Sequence, residues 1–198
     1  MPLEVEAKIA LTPEADRTLR SRLAALHPAG PQRRHERNVY LDTPDAALRR
    51  AGCGLRVRRH RDLDTATAAV VVTHKGPVRP GPLKARDEHE FNAASFDDTL
   101  ALFGALGYSP TLAFDKRRDR YRLGGVLVEC DRLPYLGCFV EIEAPDAAAV
   151  QQARERLGLA DRELIAAGYP ELLAAHLAAH PALDPHQLTL SDREDPAV

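Results

Sequence analysis

The chain contains no tryptophan, a single methionine, and only 5% aromatic residues among its 198 positions. So few flat side chains leave little platform for stacking nucleobases, which argues against a nucleic-acid partner. The three cysteines, Cys53, Cys130 and Cys138, are an odd number without metal-ligand spacing. That excludes a disulfide framework and a zinc site, and predicts reduced thiols in a cytoplasmic protein. No apolar run is long enough to span a bilayer, and no basic stretch followed by an apolar core opens the chain, so neither membrane nor secretory signal is expected. The formal net charge of −2 supplies no bulk field toward polyanions. There is no internal repeat and no glycine-rich phosphate loop of the P-loop kind.

What is present is charge of both signs, placed with period two. In Leu3-Glu4-Val5-Glu6-Ala7-Lys8-Ile9, two carboxylates and an ammonium alternate with apolar residues. Successive side chains of a strand point to opposite faces, so Glu4, Glu6 and Lys8 share one face. Strand-like runs are expected at about 3–10, 35–42, 53–61, 67–75, 86–92, 112–122, 125–132 and 137–144. Alternation groups Arg56 with Arg58, Lys75 with Thr73, and Arg86 with Glu88 and Glu90. It likewise aligns Lys116, Arg118, Arg120 and Arg122, then Glu129 with Asp131, and Glu141 with Glu143. Helical patterns are expected at 13–26 (Thr12 cap, Pro13 first), 96–106 (Ser95 cap, Gly107 stop) and after Pro145, with shorter ones near 45–51 and 169–179. Gly124-Gly125 marks a hairpin, and 76–85 reads as a loop. Residues 1–180 form one domain, and 181–198, polar and proline-bearing, read as a flexible tail.

Short connections make the sheet antiparallel, and eight strands are about the number that closes a small barrel. The fold class is therefore α+β, with helices packed outside. Each charged face, taken singly, fits a solvated sheet surface. Taken together the faces fit a barrel whose charged side lines the lumen and whose apolar side meets the helices. Like charges held close repel, and buried unpaired charge costs more still. A divalent cation on the carboxylates and a polyanion on the Arg and Lys rows satisfy both signs at once. Oxygen ligands suit Mg²⁺ or Mn²⁺, and Arg presents forked donors to phosphate. The ligand that needs both is a metal-bound polyphosphate.

These blocks resemble the CYTH domain, or triphosphate tunnel metalloenzyme, family over roughly residues 1–175. The resemblance rests on Glu4-x-Glu6-x-Lys8, Tyr40-Leu41-Asp42-Thr43-Pro44 with Leu55-Arg56-Val57-Arg58, Thr73-His74-Lys75-Gly76-Pro77 and Arg86-Asp87-Glu88-His89-Glu90. It continues through Lys116-Arg117-Arg118, Leu136-Gly137-Cys138-Phe139-Val140-Glu141-Ile142-Glu143 and Tyr169-Pro170-Glu171-Leu172-Leu173. It implies an eight-stranded antiparallel tunnel. In it Glu4, Glu6, Glu141 and Glu143, with Glu129 and Asp131, hold Mg²⁺ or Mn²⁺. Lys8, Arg56, Arg58, Lys75, Arg86, Lys116 and Arg118 clamp the phosphates, and Glu88 and Glu90, with Lys8, take part in the chemistry. Arg120 and Arg122 fit either the tunnel mouth or solvent.

The implied activity is hydrolysis of a small triphosphate, with inorganic triphosphate first. The same tunnel in class IV adenylate cyclases converts ATP to cyclic AMP and pyrophosphate. Thiamine triphosphate is less well served, since no tryptophan platform exists. A non-catalytic polyphosphate-binding module is the non-enzymatic alternative. A homodimer is compatible with the sequence. His176 and His180 have metal-pair spacing on a helix but no third ligand, and alternation turns His89 away from Glu88 and Glu90.

Overall fold

The computed structural model describes residues 5–77 and 87–190. In chain order the elements are β1 (Val5–Leu11), α1 (Pro13–Leu26), β2 (Gln32–Asp42), α2 (Ala47–Arg50), β3 (Gly54–Asp62), β4 (Ala68–Lys75) and β5 (Glu88–Ala93). Then follow α3 (Phe96–Ala105), β6 (Ser109–Leu123), β7 (Val126–Leu133), β8 (Gly137–Ala144), α4 (Ala147–Leu157) and α5 (Tyr169–Ala179). The predicted caps form. Thr12 and Ser95 accept from Ala15 and Asp98 N–H groups, each at 3.2 Å, and Asp146 accepts from Ala149 at 2.8 Å. Such caps satisfy N–H groups that have no partner inside the helix. Gly107 and Gly158 end α3 and α4 with φ of 90° and 70°, a region open to glycine without steric cost.

The eight strands form one antiparallel sheet in the order β1-β8-β7-β6-β2-β3-β4-β5. Gly124 and Gly125 make the two-residue turn between Leu123 and Val126, as the hairpin reading expected. Among the described residues no ladder joins β1 to β5. Yet side chains from all eight strands line one cavity, so the sheet is curled around a lumen.

Among the described residues, two of the three apolar clusters lie outside that lumen. Leu19 and Leu23 of α1, with Val150 and Leu157 of α4, pack on Ile9, Val128, Val140 and Ile142. Each such side chain contributes roughly 1.5–3 kcal/mol of burial. Phe96, Leu100 and Phe103 of α3 cover Val39, Val57, Val70 and Val72. These strand residues occupy the parity opposite to the charges, so the core is inverted relative to an ordinary barrel.

The third cluster lies on the lumen face. Leu112 and Phe114 share the parity of Lys116, and Phe139 that of Glu141. Against them pack Tyr169 and Leu173 of α5. The helix thus plugs one end of the tunnel.

The expectation of a loose segment from 181 onward is corrected for residues 181–190. Leu188 is 1% exposed within this third cluster. Ala113 N–H donates to the Pro185 carbonyl at 2.8 Å and Asp115 N–H to that of Leu188 at 2.9 Å. Leu188 returns a bond to Ala113 at 3.2 Å. The segment continues the β6 ladder beyond the end of β7, so polar composition was a poor guide to its docking. Residues 191–198 lie outside the described residues. No helix among the described residues is long and apolar enough to cross a membrane.

Candidate active site: a charged tunnel

The lumen encloses a cavity of about 560 Å³. Strand alternation delivers Glu6 and Lys8 from β1, Arg56 and Arg58 from β3, Lys75 from β4, and Glu88 and Glu90 from β5. The far wall brings Lys116 and Arg118 from β6 and Glu141 and Glu143 from β8. Arg120 and Arg122 also face this space, Arg122 exposed at the mouth beside the Gly124-Gly125 turn. Glu129 and Asp131 of β7 share that face but are 0% exposed, covered by their ion pairs with Arg118 and Arg120. The predicted Glu4 and Arg86 lie outside the described residues.

The acids gather on one side. Register sets Glu129 opposite Glu141 on β8, and Glu141 opposite Lys8 on β1. Carboxylate oxygens of Glu129, Glu141 and Glu143 fall within 4.8 Å of one another. Burial, then Glu129, push the Glu143 carboxyl up to about 8, with Glu141 and Glu6 adding and Arg118 opposing. Burial also disfavours the charge on Glu141, but Arg118, Lys116 and Lys8 outweigh it and hold that group well below the usual range. Lys8 Nζ lies 3.2 Å from Glu141 and 3.4 Å from Glu6. Burial disfavours its charge too, yet those two carboxylates leave the ammonium raised overall.

The cations interleave with the acids. Arg118 donates to Asp131 through Nε at 2.6 Å and also contacts Glu129 and Glu141. Burial works against its charge, but Asp131 and Glu129 hold the guanidinium well above its ordinary value. Arg56 donates to the Thr73 hydroxyl at 3.0 Å, and that hydroxyl donates to Glu90 at 2.6 Å. Lys75 meets Glu88 at 2.6 Å. Burial, with Arg56 alongside, lowers Arg58. Arg120 donates to Glu129 at 2.7 Å, which settles it on the lumen side.

Five further lumen residues were not among the expected site residues. Glu36, 1% exposed, lies 3.2 Å from Lys116 and 3.4 Å from Arg58. Burial disfavours its charge, but Arg58 and Lys116 drag it well below the carboxylate range. Asn38 accepts from Arg58 at 3.0 Å. Tyr40 stacks on Phe114 with ring centroids 6.0 Å apart. Thr73 links Arg56 to Glu90. Tyr169 donates its hydroxyl to Asp131 at 2.8 Å. Even parity within 35–42 was the available sign for Glu36, Asn38 and Tyr40; no local pattern carried Tyr169 into the lumen.

The decoys stay outside. His89 is exposed, beside His74 rather than in the lumen. His176 and His180 stack on each other at 4.1 Å. Among the described residues the Glu129, Glu141 and Glu143 trio is the group with metal-holding geometry.

An antiparallel eight-stranded sheet curled around a lumen lined by acids and cations defines the class of charged-tunnel folds. The chain belongs to the CYTH domain family, whose model matches residues 2–169. Adenylate cyclase CyaB of Aeromonas hydrophila is 30% identical over 160 residues, covering 76% of this chain and 78% of that protein. The PH1819 protein of Pyrococcus horikoshii superposes with a TM-score of 0.74 at 24% identity, covering 87% of this chain and 99% of its own. HpAC1 of Hippeastrum, whose structure is described as revealing a dominant triphosphatase activity, has a TM-score of 0.67 at 17% identity. That match covers 95% of this chain and 100% of its own. The two structures support the fold.

Proposed function

We propose that the chain is a divalent-metal-dependent triphosphatase acting on a small triphosphate, inorganic triphosphate first. The observation that carries this is the convergence of Glu129, Glu141 and Glu143 beside a cavity that Glu141 and Glu143 line together with the Arg and Lys side chains. The residues fit a hard cation: all are carboxylate donors, and the crowding that raises Glu143 is what a divalent cation relieves. Glu129, Glu141 and Glu143, with Glu6, would hold Mg²⁺ or Mn²⁺; the family resemblance adds Glu4 to this set. When bound, the metal offsets phosphate charge and lowers the pKa of a coordinated water.

The protein's own groups do the rest. Arg56, Arg58, Lys75, Lys8, Lys116 and Arg118 orient the phosphates and stabilise charge on the transferring group. Arg86 belongs with them by sequence. Glu88, held by Lys75, and Glu90, held by Thr73 and Arg56 with its side chain 50% exposed, are the acids assigned to accept a proton from the attacking water. Asp131, saturated by Arg118, Lys116 and Tyr169, is assigned to holding those groups rather than to metal. The free thiols Cys53, Cys130 and Cys138 are in keeping with a reducing compartment.

The identity with CyaB of Aeromonas hydrophila favours one second reading, in which the ATP 3′-hydroxyl is the nucleophile and cyclic AMP the product. The deciding experiment incubates the protein with Mg²⁺ or Mn²⁺ and either inorganic triphosphate or ATP, and measures phosphate and cyclic AMP. Phosphate release from triphosphate, abolished by EDTA and by Glu143→Gln, is expected. Cyclic AMP formed at a rivalling rate overturns the hydrolase reading. Triphosphate binding that survives EDTA with no turnover in any metal leaves only a binding module.

A further inference from the structure

We propose that Tyr169 is a positioning residue that sets the two deepest lysines of the tunnel, Lys8 and Lys116, for the phosphates. The inference rests on the triphosphate reading above. A lysine ammonium sits on a flexible four-carbon stem and finds its own place poorly. Lys8 and Lys116 come from β1 and β6, which are separated in the sheet by β8 and β7. Both nevertheless approach one ring: their Nζ atoms lie 4.5 Å and 5.4 Å from the Tyr169 centroid.

The ring is itself fixed. It is 8% exposed and meets Phe139 edge-on at 5.3 Å, and its hydroxyl donates to Asp131 at 2.8 Å. Asp131 in turn accepts from Lys116 at 3.3 Å and from Arg118. The chain just before α5 closes the set. The Ala167 carbonyl accepts from Lys8 Nζ at 3.2 Å, and Ile165 N–H donates to the Lys8 carbonyl at 2.8 Å. A desolvated aromatic face attracts ammonium groups, and ordering them before the anion arrives removes that cost from binding. The C-terminal segment thus does more than plug the tunnel; it holds part of the clamp in register.

The test compares Tyr169→Phe, Tyr169→Leu and the control Leu173→Ala, which loosens the same helix at a fully buried position in its apolar cluster. Calorimetric titration with inorganic triphosphate in EDTA gives affinity, steady-state kinetics with Mg²⁺ give KM and kcat, and thermal melts give stability. Tyr169→Phe is expected to stay within about threefold of wild type in affinity, and Tyr169→Leu to lose at least about tenfold. That loss should appear in KM more than in kcat. Leu173→Ala should lower Tm with affinity unchanged. If the Tyr169→Leu variant fails to fold, Tyr169→Met takes its place in the comparison. Equal affinity losses in Tyr169→Leu and Leu173→Ala overturn the proposal, as does a Tyr169→Leu that binds like wild type. A wild-type protein that fails to bind triphosphate at all overturns the reading of the tunnel, and this inference with it.

Discussion

Arg118 and Asp131 face each other across the β6–β7 ladder, and the guanidinium grips the carboxylate through both Nε and Nη2. The pair is buried, and the same guanidinium touches Glu129 and Glu141. It therefore fixes where the acid cluster sits. Replacing Asp131 removes the acceptor that Arg118, Lys116 and Tyr169 share, and with it part of the charge offsetting the buried cations. Asp131→Asn should lower the unfolding free energy by about 3–5 kcal/mol, read from urea denaturation. A loss below about 1 kcal/mol would show that the pair is not a structural hub.

Glu36 answers the same logic with a different sign at the ligand. It is a fully buried counter-charge to Lys116 and Arg58, both lined up for phosphate. Glu36→Gln should destabilise the ligand-free protein by about 3 kcal/mol or more. Inorganic triphosphate then supplies the missing negative charge, so its addition should raise Tm further in the variant than in wild type. Thermal melts with and without triphosphate check this; equal shifts would remove Glu36 from the electrostatics of the site.

Alternation made most of this arrangement readable before any coordinates. A strand has period two, so Lys116 and Arg118, or Glu141 and Glu143, necessarily share a face, and repeated charged faces point to a lumen. What alternation does not carry is distance across strands. The family resemblance groups Asp131 with Glu129 in the metal set, and alternation puts the two on one face. Register instead sets Asp131 beside Arg118 and Phe139, and Glu129 beside Arg120 and Glu141. Glu36 and Asn38 share an even-parity polar face, but His35 and Arg37 make the other face polar too, so that sign was weak. Tyr169 sits on a helix whose place inside the lumen follows from tertiary packing alone.

The raised Glu143 carboxyl gives the metal-free protein a pH dependence of defined sign. Its folded value of about 8 exceeds the ordinary 4.5, so the native state keeps a proton that the unfolded chain releases. Stability from this group is complete below about 4.5 and is lost as pH rises through about 8. The slope is at most about 1.4 kcal/mol per pH unit. Denaturation in EDTA at several pH values should show the fall, and Glu143→Gln should flatten it. Metal binding near pH 7 should also release a proton, visible as a buffer-dependent heat in calorimetry. A metal-binding heat that is independent of buffer ionisation would place Glu143 outside the metal set.

Leu188 shows how far the C-terminal segment is built into the tunnel. It packs with Phe114 and Leu173, and Phe114 lies on β6 two residues before Lys116, on the same face. Replacing Leu188 with alanine removes a side chain that is 1% exposed, at a cost of about 2–5 kcal/mol. Ending the chain at residue 180 removes in addition the backbone bonds that Pro185 and Leu188 make with Ala113 and Asp115. The shortened protein should melt lower than Leu188→Ala. Its KM for triphosphate should also rise, because the β6 strand that carries Lys116 and Arg118 loses its neighbour on that side. Melting curves and KM for the two variants decide the matter. An unchanged Tm after truncation would mean that the strand-like docking of residues 185–188 contributes nothing to the fold.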